Sequence, residues 1–110
     1  MNIDKTSKYT RIHCTEKRIQ DFIIKLDSEI KKFEKEHLII TFSEEINSST
    51  RDYLLFLNIA SKKRLQKTSF IIVQKIDNTD DFPEDFNIVP TLTEAEDIID
   101  MESMERELGF

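Results

Sequence analysis

One glycine, two prolines, one cysteine and no tryptophan occur in 110 residues, and each scarcity closes off a kind of function. Loops that bring backbone N–H groups against a phosphate or nucleotide depend on glycine. The single glycine, Gly109, lies beyond the last patterned segment, so no phosphate-cradling loop is expected. A lone Cys14 cannot form an internal disulfide, which fits a reducing compartment. No apolar run approaches the roughly 20 residues that span a bilayer. Met1 to Lys8 is polar and lacks the apolar core of a signal peptide, so a cytoplasmic location with no membrane contact is expected. The spacings H-x-x-E-H, C-x-x-C and G-x-S-x-G are all missing.

What is present suits one small domain over residues 1–110. The chain is 38% hydrophobic and 35% charged, enough for a single core and too short for a second. Its net charge of −6 is unevenly spread: residues 1–40 carry +2, residues 41–75 carry +3 and residues 76–110 carry −11. Such asymmetry marks either solvated acidic segments or a surface for a basic partner.

Lys8 to Cys14 alternates in polarity and reads as a short edge strand. From Glu16 the period lengthens, and Ile19, Phe22, Ile23, Leu26, Ile30 and Phe33 form one helical stripe with Thr15 as the expected N-cap. Leu38–Phe42 and Ser69–Gln74 are compact β-branched runs that read as buried strands. The mostly helical stretch between them is what a parallel β-α-β crossover requires. That second helix is expected to start at the S-x-x-D capping box Ser49–Asp52 and to bury Tyr53, Leu54, Leu57, Ala60, Ser61 and Leu65, with Phe56 and Ile59 widening the arc. Asp77–Asp85 is an acidic turn around Pro83, and Phe86–Val89 can add a strand. A T-x-x-E capping box, Thr91–Glu94, opens a last helix to about Leu108. Its expected inward residues are Ala95, Ile98, Ile99, Met101 or Met104, and Leu108, with Gly109 as the C′ residue. The fold class is therefore α/β, a small, mostly parallel or mixed sheet with helices packed on it, in the order β-α-β-α-β-β-α.

Chemistry-bearing residues are few. His13 and Cys14 are neighbours on a strand and point to opposite faces, so they do not pair as ligands or as nucleophile and base. His37 falls at a helix-to-strand junction. The carboxylates Asp80, Asp81, Glu84 and Asp85 lack the spacing and glycine of an EF-hand loop. Neither a metal site nor a cofactor site is expected, and the chain reads as a non-enzyme. Two surface segments stand out. Lys62, Lys63, Arg64 and Lys67 form a basic cluster that could meet a nucleic-acid phosphate, although the pI of about 4.9 and core-period aromatics argue against a nucleic-acid module. Ser48, Ser49 and Thr50 sit at a helix start, where free N–H groups and the positive end of the dipole would stabilise a phosphate.

The run from strand LIITF through loop SEEINSST and helix RDYLLFLNIASKKRLQ to strand SFIIV resembles the centre of a STAS domain, the module of sulfate transporters and anti-sigma factor antagonists. The continuation IVPTLTEAEDII resembles that family's closing strand and final helix. In anti-sigma factor antagonists the loop reads Asp-Ser-Ser-Gly or similar, and the serine after the Asp is phosphorylated by the partner kinase. The resemblance thus implies a STAS-like fold, a protein partner at Asn47, Ser48, Ser49 and Arg51, and phosphorylation at Ser48 or Ser49. Asn47 stands in the Asp position and Thr50 in the Gly position, and a helix from Glu16 replaces the family's early hairpin. The ending PTLTEAEDIIDMESMERELGF also resembles small bacterial proteins sometimes labelled ribonuclease Z. That label implies a zinc-dependent tRNA-processing nuclease, but the H-x-H-x-D-H ligands are missing and two histidines cannot build a dinuclear zinc centre. The sequence therefore predicts a non-enzymatic interaction or regulatory domain. The alternative is an RNA-associated accessory protein that uses Lys62 to Lys67 beside a neighbouring ribonuclease Z.

Overall fold

The computed structural model describes residues 1–77 and 79–109; Asn78, part of the expected acidic turn, and Phe110 lie outside the described residues. Five strands, β1 (Asn2–Lys5), β2 (Thr10–Cys14), β3 (Leu38–Phe42), β4 (Phe70–Val73) and β5 (Asn87–Val89), form one sheet in the order β1-β2-β3-β4-β5. β1 pairs antiparallel with β2, and all other neighbours are parallel. The helices are α1 (Ile19–Glu29), extended by a 3-10 turn over Ile30–Phe33, then α2 (Leu57–Leu65), preceded by a 3-10 segment over Thr50–Phe56, and α3 (Leu92–Glu107). The fold is α/β with a mixed five-stranded sheet.

Strand alternation divides the core between the two faces of the sheet. Ile12, Cys14, Leu38, Ile40, Phe70 and Ile72 pack with Ile19, Phe22, Leu26 and Phe33 of the first helical segment and with Tyr53, Phe56 and Ile59 of the second. Phe82 and Phe86 of the β4–β5 connection join the same side. The opposite face offers Tyr9, Ile39 and Ile71 to Ala95 and Ile99 of α3. Both faces of β3 and β4 are thus covered, which is why their runs are continuously apolar.

Several expectations shift in detail. β1 is an additional strand: its four residues are all exposed, so no apolar pattern announces it, and it is held by its ladder to β2. The order is therefore β-β-α-β-α-β-β-α. α1 begins at Ile19 and not at Glu16, because residues 17 and 18 are committed elsewhere: Arg18 bridges Asn47, and the Asn47 N–H donates to the Lys17 carbonyl at 2.8 Å. Thr15 does not cap; its hydroxyl accepts from the Met1 amine at 2.8 Å. In the second helical segment the 3-10 stretch advances the side chains three residues per turn. Tyr53, Phe56, Ile59 and Lys63 consequently point inward, whereas Ser61 and Leu65, expected inside, are exposed. On α3 the buried residues are Ala95 and Ile99, and Met101, Met104 and Leu108 are exposed, contrary to expectation, because at 100° per residue they fall on the side of the helix turned away from the sheet. Gly109 does occupy the left-handed C′ position at φ +82°.

Candidate functional site

The segment from Asn47 to Asp52 lies where the chain leaves β3 and turns into the second helical segment. Its backbone is held at several points. Asn47 bridges Arg18, and the Ser49 N–H donates to the Asp52 carboxylate at 2.9 Å in the capping box expected at Ser49–Asp52. Gln20 on α1 reaches the same carboxylate at 3.5 Å. Beneath it, the buried Tyr53 hydroxyl is 2.9 Å from Ser48 Oγ and accepts from Gln74 Nε2 at 2.9 Å. Ser48 is thus half-buried and engaged, whereas Asn47, Ser49 and Arg51 are exposed. Arg51, Arg18 and Lys17 are exposed cations without an ion pair among the described residues. The four predicted residues are brought together on one rim, and the two residues that precede α1, Lys17 and Arg18, join them there, which sequence spacing could not have shown.

The second predicted surface is divided. Lys63 is fully buried; its Nζ donates to the carbonyls of Phe33 and Glu36, so it has no surface to offer a phosphate. Burial pushes its pKa down to about 8, with Glu36 and Glu34 acting the other way. Lys62 pairs with Asp27 at 3.6 Å and Arg64 with Asp85 at 2.6 Å. Lys67 remains as an exposed cation. Arg64 and Lys67 line a cleft of about 330 Å³ together with Phe70, Asn87, Glu102 and Arg106. Lys67 has φ +63°, the left-handed conformation of a helix C′ residue that glycine adopts without strain. Lys67→Gly should therefore raise stability by up to about 1 kcal/mol, read as a higher urea midpoint at an unchanged slope.

The titratable residues expected to be structural have structural partners. His37 Nδ1 accepts from the Ser69 N–H at 2.9 Å, and burial, followed by Arg106 and Lys63, lowers its pKa. His13 is partly exposed and its Nδ1 lies 2.8 Å from Thr41 Oγ1 on one face of the sheet, while Cys14 is buried on the other. Burial pushes the Cys14 thiol up to about 11, the reverse of what a nucleophile requires. Among the described residues, no group of three or more His, Cys, Asp or Glu is placed to hold a metal ion. No helix of the described chain is long and apolar enough to cross a membrane.

Glu16 is a charged group that sequence reasoning overlooked. Its side chain is 9% exposed and pairs with Lys25 at 2.9 Å and with the Met1 amine at 3.3 Å. Burial favours its neutral form, but these partners and a backbone hydrogen bond outweigh it and hold the pKa at about 2. A carboxylate depressed in the folded state stabilises above its unfolded pKa and loses that contribution as pH falls through the folded value. The Glu16 contribution, about 2 kcal/mol after allowing for the exposed Lys25, should vanish between about pH 4.5 and pH 2. Denaturant titrations of Glu16→Gln across that window should be correspondingly flatter than wild type.

No protein-family model matches this chain, and no curated protein is significantly similar to it.

Proposed function

We propose that this chain is a non-enzymatic regulatory domain of the anti-sigma factor antagonist kind, binding a protein partner at Asn47, Ser48, Ser49 and Arg51. The observation that supports it is the combination of exposed Asn47, Ser49 and Arg51 with a backbone held by Lys17 and Asp52 and a Ser48 side chain held from below by Tyr53. A pre-ordered rim loses little conformational entropy on binding. Unpaired Arg51, Arg18 and Lys17 add a positive field suited to an acidic partner. Ser49 is the more accessible phosphorylation candidate, because Ser48 Oγ is engaged with Tyr53. Phosphate at Ser49 would reverse the sign of the local charge and so weaken that partner's binding.

Affinity capture from extract of the native host, with wild type and Asn47→Ala/Arg51→Glu side by side, tests the reading. A partner recovered by wild type should be lost with the variant, and a photo-crosslinking residue at position 51 should attach to it. Equal recovery from both proteins would remove this rim from consideration. Intact mass spectrometry that finds no phosphate under any growth condition would end the switch at Ser48 or Ser49 while leaving the docking site standing. RNA binding through Lys62, Arg64 and Lys67 has weaker support, since Lys62 and Arg64 are already in ion pairs. Steep loss of tRNA affinity with added salt would restore it.

A further inference from the structure

We propose that the outer face of α3 is a docking surface for a basic amphipathic helix of a partner protein. At 100° per residue, Met101, Met104 and Leu108 fall on one line along the side of the helix opposite Ala95 and Ile99. They are 54%, 62% and 67% exposed, so three large apolar side chains form a stripe about 10 Å long facing water. Methionine is common on surfaces that receive a partner helix because its unbranched side chain adapts to the incoming one.

The borders of the stripe select the charge of the occupant. Asp97 shares its line, Asp100 and Glu107 flank one side, and Glu105 flanks the other; all four are exposed. Asp100 has Lys8 at 3.4 Å, a wide, solvated pair, while Asp97, Glu105 and Glu107 have no ion-pair partner among the described residues. Arg106 is the helix's only cation and is directed to the other side, where Nη2 donates to Ser69 Oγ at 2.9 Å and lies 3.6 Å from Glu102. Glu105 and Glu107 also sit at the negative end of the helix dipole, which disfavours them by a few tenths of a kcal/mol each in the free domain. Lysines or arginines flanking an apolar helix face would meet both the acids and the dipole. A second copy of this chain does not offer that match: among the described residues its other exposed large apolar side chains, Ile3, Ile24, Leu55 and Leu65, stand singly on different elements.

A designed Leu/Lys amphipathic helix, fluorescently labelled, is the probe, with a scrambled peptide of equal charge as its control. The amphipathic peptide should bind saturably, with NMR shift changes confined to residues 97–108. Met101→Gln/Met104→Gln/Leu108→Gln should weaken it by at least about tenfold. Asp97→Asn/Glu105→Gln/Glu107→Gln should flatten the salt dependence. All six positions are exposed or at the helix end, and circular dichroism of each variant verifies the fold. Equal binding of the scrambled peptide, shifts centred on the acidic 77–85 loop or on Asn47–Arg51, or unchanged affinity of the triple-glutamine variant would each overturn the proposal. So would concentration-dependent dimerisation of the free protein that disappears in that variant, since the occupant would then be a second copy.

Discussion

Lys63→Ala should cost about 4 kcal/mol of unfolding free energy, measured by urea denaturation near neutral pH. Lys63 is fully buried, and alanine removes three methylenes of its stem, at about 0.8 kcal/mol each. It also strips the carbonyls of Phe33 and Glu36 of a charged donor, which accounts for the remainder. Lys63→Met retains most of the stem and should cost only about 1–2 kcal/mol. The pH dependence carries a second signature. With its folded pKa at about 8 against 10.5 unfolded, the unfolded chain binds more protons over that interval, so stability rises as pH increases through it. Wild type should gain about 1 kcal/mol between pH 7 and pH 9, and Lys63→Met should not. Cys14 acts oppositely from pH 9 to about 11, because the folded state keeps its thiol protonated after the unfolded one has ionised. A wild-type profile that stays level to pH 9 would contradict a buried charged Lys63.

Phe56→Ala should be comparably severe, at roughly 3–5 kcal/mol. Phe56 has no exposed surface and lies within 6.5 Å, ring centre to ring centre, of Phe22, Phe42, Tyr53 and Phe70. It therefore joins α1, β3, β4 and its own 3-10 segment in one aromatic group, and the cavity left by its ring cannot be filled by any single neighbour. Phe56→Leu should recover most of the loss. If Phe56→Ala unfolded with a midpoint close to wild type, the 3-10 phase that turns Phe56 inward would be wrong.

The buried strands were legible because Leu38–Phe42 and Phe70–Val73 are covered on both faces, so burial leaves a continuous apolar record. Asn2–Lys5 left none: its backbone pairs, but every side chain faces water. The second helical segment was placed correctly and phased incorrectly. A period of 3.6 assigns Leu65 to the core, whereas the 3-10 start rotates Lys63 into it, and nothing in the run SKKRLQK distinguishes a buried lysine from solvated ones. Met101, Met104 and Leu108 are apolar, but at 100° per residue they lie across the helix from Ala95 and Ile99, and apolar character alone does not say which of two faces meets the sheet. For the candidate site, the capping residues Ser49 and Asp52 were readable locally, but the Arg18–Asn47 bridge joins segments separated by a whole helix and strand.

The monotonic strand order has a consequence for where chemistry could reside. In open α/β sheets that bind nucleotides or substrates, the order reverses partway across, successive connections depart to opposite faces, and a crevice opens between them at the strand ends. Here β2, β3, β4 and β5 follow one another without reversal, and every connection between them crosses on the same face. This sheet has no topological switch point. The cleft of about 330 Å³ opens instead beside Phe70 and Asn87, the first residues of β4 and β5, at the end of the sheet away from the carboxyl ends where such crevices form.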